Sequence, residues 1–168
     1  MSSILIESSD GKRFDIKIEI AKSFGAFKTM LDFNIGEENS SNEPITLKEV
    51  DSFTLSKIIE WSERHLHDPR TQCDYEKHNH NDEEYEDLEI DAWDENFLKN
   101  LTHNQLFEVI KAANFLDLKF LFDVSCEVAA QLIKGKNTEQ IRELFGEVND
   151  LTPEEEENIR KEFSWCKR

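Results

Sequence analysis

The amino-acid sequence predicts an α+β fold with two parts, an N-terminal part that combines a small β-sheet with helices and a C-terminal part built of helices. Strands are predicted because apolar and polar residues alternate between Phe14 and Ile20, and a period of two gives one buried and one solvated face. The C-terminal helices are predicted from apolar spacings of three and four residues that follow recognisable helix-start residues. A strongly acidic stretch separates the two parts.

The N-terminal part begins with a predicted β-hairpin. Its first strand is the apolar run Ser3–Glu7, its turn contains Asp10-Gly11, and its second strand extends from Phe14 to Ile20. Asp-Gly is typical of tight turns because glycine adopts a positive φ without steric cost.

Three further elements are predicted before the acidic stretch. A short helix is expected from Ala21 to Phe33, although Gly25 weakens it as a single long helix. A polar loop is expected over residues 34–43. Residues 44–47 are a candidate strand, and Val50 to Leu66 has the apolar spacing of an amphipathic helix.

The stretch from Asp74 to Glu95 is the most biased in the chain. It holds eleven acidic residues and one basic residue, Lys77. Such a segment cannot bury enough apolar surface to collapse, so a solvated, mobile loop that acts as a tether is expected.

Four helices are predicted in the C-terminal part, at residues 103–114, 117–134, 138–145 and 153–164. Thr102 with Gln105 is a capping-box pattern, and Asn137 with Gln140 is its asparagine-led analogue. Thr152-Pro153 offers a cap followed by proline at the first helical position.

The predicted helix 117–134 carries more apolar surface than one neighbour requires. Its first stripe is Leu121, Val124, Val128 and Leu132, and its second is Phe122, Cys126, Ala129 and Ile133. Both stripes fit burial in the chain's own core. They equally fit one stripe facing the core and the other facing a partner helix.

Composition excludes several classes of partner. The chain has 168 residues and a formal net charge of -17, which argues against nucleic acid and against an anionic membrane surface. No apolar run is long enough to span a bilayer. Three cysteines without a C-x-x-C pair fit a reducing compartment, so a cytoplasmic and nuclear location is expected.

The sequence shows no pattern for catalysis, and no cofactor or metal is expected. It lacks a phosphate-binding glycine loop. Cys126 lies among apolar residues, which disfavour a reactive thiolate. A zinc-assisted enzyme would rest only on clustered side chains whose spacing matches no closed zinc site, namely His65, His67, Cys73, His78 and His80.

Several segments together resemble one family, the S-phase kinase-associated adaptor of SCF ubiquitin ligases. They are Ser8-Ser9-Asp10-Gly11, Glu19-Ile20-Ala21-Lys22, Lys28-Thr29-Met30-Leu31, Trp93-Asp94-x-x-Phe97-Leu98-Lys99, Ala112-Ala113-Asn114-Phe115-Leu116-Asp117, Ile133-Lys134-Gly135-Lys136, Thr152-Pro153-Glu154-Glu155-Glu156 and Trp165-Cys166. Their order and spacing cover nearly the whole chain.

The resemblance implies a BTB/POZ-like domain with a small three-stranded sheet, followed by a helical extension that binds an F-box. It implies an N-terminal α+β part at 1–66, an acidic mobile loop at 67–92, a helical part of the same domain at 93–134 and the extension at 135–168. The implied function is a non-catalytic adaptor that links a cullin to F-box substrate receptors in ubiquitin-dependent degradation.

The resemblance also implies two binding faces. The cullin-binding residues would be Asn114 and Phe115. The F-box-binding residues would be Leu121, Phe122, Cys126, Ala129, Ile133, Ile141, Phe145 and Trp165. Trp165 is favoured independently, because tryptophan is enriched at interface hot spots.

The chain departs from the family pattern at several positions. Phe115 stands where the family usually has tyrosine, and Glu147 stands in a segment where the family carries an isoleucine. These departures indicate a divergent paralogue with an altered partner set. The alternative is a BTB-type scaffold or oligomerisation protein that has lost cullin binding.

Overall fold

The computed structural model describes residues 3–28, 44–71 and 90–166. A three-stranded sheet has the strand order β2-β1-β3, with β1 at Ser3–Glu7, β2 at Arg13–Lys17 and β3 at Ile45–Thr46. β1 and β2 form the predicted antiparallel hairpin, in which Ile4 pairs with Ile16 and Ile6 with Phe14. β3 runs parallel to β1. The α+β class and the small sheet are therefore confirmed.

The second strand is shorter than predicted. β1 begins its pairing at Ser3, which lies opposite Lys17, so no described strand residue faces Ile18. The chain instead turns into a helix, α1, at Ile18–Ser23, which buries Ile20 and Ala21. The prediction of a strand through Ile20 was wrong because the alternating pattern continued past the end of the partner strand.

The remaining helices agree with the predicted positions to within a few residues, except the helix at Ala92–Lys99, where no helix was predicted. They are α2 at Ser52–Arg64, α3 at Ala92–Lys99, α4 at His103–Phe115, α5 at Lys119–Ile133, α6 at Thr138–Phe145 and α7 at Pro153–Glu162. Short 3₁₀ turns lie at Pro69–Thr71 and Ser164–Cys166. None of the described helices has the length and apolar content to cross a membrane.

Capping residues explain where three helices begin. The side chains of Thr102, Asn137 and Thr152 each accept a hydrogen bond from the backbone N–H three residues on, and the backbone N–H of each donates in return to the side chain of that residue. These complete capping boxes satisfy N–H groups that have no partner within the helix. The three predicted helix starts are confirmed.

The chain divides into two units, Met1–Leu132 and Ile133–Arg168. In the described part of the first unit, the sheet and helices α1 to α5 share one apolar core, which includes Ile6, Phe24, Trp61 and Leu106. The second unit consists of the last residue of α5, then α6, α7 and the final 3₁₀ turn.

Two expectations fall partly or wholly outside the described residues. The polar loop at 34–43 and most of the acidic stretch, residues 74–89, belong to the ranges that the structure leaves undescribed. The end of the acidic stretch is described and is not a loop, because Asp94 and Glu95 lie in the first turn of α3. Acidic side chains are favourable there because the helix N-terminus carries partial positive charge.

Candidate partner-binding surfaces

The first candidate surface lies at the C-terminal end of α4 and consists of Asn114 and Phe115, here called the corner surface. The opposite side of α4 is buried through Leu106, Val109 and Ala113, so the helical period directs Asn114 and Phe115 outward. The Phe115 side chain is 46% exposed. An exposed aromatic ring at a rigid helix end can contact a partner without rearrangement of the core.

The chain reverses sharply after this surface. Asp117 has a φ of 55°, in the left-handed region. The Leu118 N–H donates to the Ala113 carbonyl at 2.8 Å and the Asp117 N–H to the Asn114 carbonyl at 3.2 Å. This pair of bonds is the Schellman motif that ends many helices, usually with glycine at the left-handed position. It explains why α5 begins at Lys119 rather than at the predicted position 117.

The α4–α5 corner packs closely on the segment that follows α1. The Ala26 N–H donates to the Leu116 carbonyl at 3.2 Å. A Cβ atom on Gly25 would lie 2.8 Å from Cβ of Asp117 and 2.2 Å from its Oδ2. Glycine therefore stands at position 25 because the corner leaves no room for a side chain.

A pocket of about 270 Å³ opens beside the corner surface. Its lining includes Asn114, Asp117, Lys119, Phe122 and Asp123. Partial burial raises the pKa of the Asp123 carboxyl, and Lys119 opposes that shift. The pocket thus joins residues of the corner surface to the beginning of α5.

Helix α5 divides into a buried side and a partly exposed side. Leu121, Val124 and Val128 are fully buried, and the Ser125 hydroxyl donates to the Leu121 carbonyl inside the core. On the other side, Phe122 and Cys126 are half-buried and Ile133 is exposed. The excess apolar surface seen in the sequence is therefore split between the core and a surface, here called the α5 face: Phe122, Cys126 and Ile133.

Two residues that the sequence assigned to the F-box face lie in the core instead. Leu121 has 0% exposure and Ala129 has 7%. Leu121 falls on the helical line of Val124 and Val128, and the short Ala129 side chain does not extend beyond its neighbours. Neither side chain is available to a partner without repacking, so the α5 face excludes both.

The second unit presents the other apolar side chains. Ile141 is half-buried, Phe145 is 42% exposed and Trp165 is 77% exposed. No side chain described between Ile133 and Trp165 is fully buried. One ion pair connects α6 and α7, with Arg142 Nη1 3.9 Å from Glu156 Oε1.

Three more exposed apolar residues of the second unit were not among the predicted site residues. They are Val148, Ile159 and Phe163. The Phe163 and Trp165 rings lie 6.3 Å apart. Because Phe163 is only two residues before Trp165 in the sequence, it could have been predicted to accompany Trp165. Val148 follows Gly146 outside any helix, where no periodicity selects it, and the exposed Glu147 lies beside it.

The surroundings of Cys126 and His65 do not indicate catalysis or metal binding. Burial, with a smaller contribution from Asp123, raises the pKa of the Cys126 thiol, which disfavours the nucleophilic thiolate. Within the three described ranges, no three possible metal ligands come together. Cys73, His78 and His80 lie outside those ranges, and His65 is buried against Asp94.

Comparison with known proteins links both units to one family. The model of the Skp1 family, tetramerisation domain, matches residues 2–67, and that of the Skp1 family, dimerisation domain, matches residues 119–166. These ranges contain the sheet with α1 and α2, and the whole of α5 to α7.

Curated relatives match over almost their full length. The chain is 44% identical over 166 residues to SCF ubiquitin ligase complex protein SKP1a of Dictyostelium discoideum, covering 99% of this chain and 96% of the relative. It is 40% identical over 165 residues to E3 ubiquitin ligase complex SCF subunit sconC of Arthroderma benhamiae, covering 98% and 95%. It is 38% identical to the sconC subunit of Talaromyces stipitatus. The chain therefore belongs to the Skp1 family.

Proposed function

We propose that this chain is a non-catalytic adaptor subunit of an SCF E3 ubiquitin ligase, acting in ubiquitin-dependent protein degradation. The observation that carries the proposal is the second unit, in which apolar side chains are exposed and no described side chain is fully buried. Such a unit needs a partner to complete its core. The family membership and the SCF names of the relatives support that partner being part of an SCF complex.

The F-box protein is the proposed partner of the α5 face and the second unit. An F-box helix could lay apolar side chains against Phe122 and Ile133, as amphipathic helices commonly do in apolar grooves. Phe145 and Trp165 offer large rings for the same purpose. The side chains already present on α6 and α7 are too few and too exposed to bury one another.

The cullin is the proposed partner of the corner surface. Asn114 supplies an amide that can both donate and accept, and Phe115 supplies an exposed ring. The Schellman reversal fixes both residues at a rigid helix end, which reduces the entropy lost on binding. Phenylalanine at position 115 offers no hydroxyl, so the cullin contact relies on ring packing and on Asn114.

The proposed mechanism is proximity. Binding of a cullin and an F-box protein to one chain holds a captured substrate near the ubiquitin-conjugating machinery and raises its effective concentration. No residue of the chain performs chemistry in this mechanism. The raised pKa of Cys126 argues against a ubiquitin thioester on that side chain.

A cytoplasmic and nuclear location is part of the proposal. Cys126 is a free cysteine, which fits a reducing compartment. Imaging of a fluorescent fusion tests this part, and a secreted fusion would refute it.

Reconstitution tests the adaptor role directly. The chain is co-expressed with an F-box segment and with the N-terminal domain of an SCF-type cullin, and the mixture is separated by size-exclusion chromatography. A ternary complex is expected. Binding of the F-box segment without the cullin domain would assign the chain to an F-box-binding role outside the ligase, and binding of neither would refute the proposal.

A further inference from the structure

A buried polar cluster, to which no role is assigned above, links α2 to α3. Its members are Trp61 and His65 of the α2 region and Asp94 of α3. Trp61 Nε1 donates to Asp94 Oδ1 at 2.8 Å, and Asp94 Oδ2 lies 3.3 Å from His65 Nε2. Asp94 is 0% exposed and His65 is 4% exposed.

Both ring nitrogens of His65 face hydrogen-bond acceptors. Nδ1 lies 3.0 Å from the Trp61 carbonyl oxygen, and Nε2 faces the Asp94 carboxylate. A neutral imidazole has only one N–H, so one of its nitrogens would direct a lone pair at an acceptor. While Asp94 is ionised, only the imidazolium presents an N–H to both acceptors. It also brings positive charge to a buried carboxylate on which the charge of Arg70 acts as well.

We propose that His65 is a protonated latch, an imidazolium that ties α2 to α3 through Asp94 in the folded chain and loosens this packing when it loses its proton. The latch reaches a third helix through aromatic contacts. The His65 ring stacks on Trp61 at 4.2 Å and meets Phe120 of α5 edge-on at 6.1 Å. Phe120 is buried in the first turn of α5, so the latch supports the start of the helix that carries the α5 face.

Two carboxylates near the ring favour the same protonation state. Asp94 approaches from α3, and Asp68 acts from the turn after α2. Arg70, on the adjoining 3₁₀ turn, is paired with Asp68 at 2.6 Å and lies over the Phe120 ring. From α5 itself, the residue against His65 is the uncharged Phe120. Burial alone lowers the pKa of His65, but the Asp94 carboxylate, the Trp61 carbonyl and Asp68 raise it above its ordinary value.

The sign of the pH effect follows from that direction. A histidine whose pKa is raised by folding stabilises the folded state below the pKa of the unfolded chain, about 6.5. This stabilisation is lost as pH rises through the folded-state pKa. The folded chain therefore loses the contribution of the latch at a pH above about 6.5, where Asp94 would remain buried beside a neutral ring.

NMR titration of the histidine ring signals in the full chain tests the proposal. His65 is expected to titrate above about 6.5. Asp94→Asn keeps the size of the side chain and an oxygen to accept from Trp61, but removes the charge. The pKa of His65 should then fall, because burial becomes the leading influence. Asp68→Asn removes the other carboxylate that acts on the ring and serves as the control. It should lower the pKa of His65 by less than Asp94→Asn does.

If Asp94→Asn does not fold, urea unfolding of the wild type and of two histidine variants tests the proposal instead. The urea midpoint of the wild type is compared with that of His65→Gln. The amount by which the wild-type midpoint exceeds the variant midpoint should fall as pH rises from about 6 to about 9. His67→Gln, which changes an exposed neighbour, should follow the wild type. Titration of His65 at or below about 6.5, or a wild-type midpoint that keeps a constant difference from His65→Gln over this range, overturns the latch.

Discussion

The two units of the chain reach stability by different routes. The first unit buries large side chains from the sheet and five helices in one core. The second unit has two capped helices connected by an ion pair, and no fully buried described side chain. Capping and surface ion pairs each contribute only about 1 kcal/mol or less, so local signals form the helices of the second unit but do not give it a core. The difference fits the proposal that the first unit is a scaffold and that a partner completes the second.

The largest expected effect distinguishes the two sides of α5. Leu121→Ala should lower the free energy of unfolding by ~2–5 kcal/mol, because it leaves a cavity in the core. Ile133→Ala is the matched control on the exposed side and should cost less than ~0.5 kcal/mol. Urea unfolding followed by circular dichroism measures both. A small loss for Leu121→Ala would mean that this side chain faces outward after all.

The next effect concerns the corner surface. Asn114→Lys combined with Phe115→Lys should weaken cullin binding at least a hundredfold, about 2.8 kcal/mol, because two cations replace an amide and an apolar ring. Binding of the F-box segment should stay unchanged, since neither residue belongs to the α5 face or the second unit. Isothermal titration calorimetry with each partner measures both affinities. Retained cullin affinity would remove the corner surface from the proposal.

A third prediction tests whether the second unit is completed by a partner. Trp165→Ala should weaken F-box binding by ~2 kcal/mol or more, while the unfolding midpoint of the free chain stays within the range of a surface substitution. Lys161→Ala is a control at an exposed position nearby. If affinity falls by less than about 0.5 kcal/mol, Trp165 is only a tail residue.

The smallest expected effect tests the close packing at the corner. Gly25→Ala should destabilise the chain by ~1–2 kcal/mol, because the new Cβ would overlap the side chain of Asp117. Asp117→Gly removes those atoms and tolerates the positive φ, so the double variant should recover most of the loss. Urea unfolding of the two single variants and the double variant measures the coupling. Additive losses would show that the two positions do not interact.

Local sequence patterns predicted most of the secondary structure. The hairpin follows from alternation and an Asp-Gly turn, and the starts of α4, α6 and α7 follow from capping boxes whose bonds form within four residues. These patterns can be recognised in the sequence because each depends only on residues that lie close together along the chain. The strand predicted through Ile20 failed because its end depends on where the partner strand stops, which is not a local property.

The candidate site was predictable only in part. Helical spacing identified two apolar stripes on α5, and the motifs of the resemblance assigned them to partners. Spacing did not show that Ala129 belongs to the core or that Val148 is 84% exposed, because burial depends on which elements pack nearby.

The sequence by itself determined the fold class, the capped starts of α4, α6 and α7, and the family, because these depend on residue order and short-range hydrogen bonds. The tertiary structure alone decided how the apolar surface of α5 is shared between core and surface. It also explained Gly25, which the sequence presents as a helix weakener and the structure places against Asp117, 92 positions later in the chain. It brought His65 and Asp94 together across the undescribed acidic stretch. Such pairings arise when distant segments pack, and no local pattern encodes them.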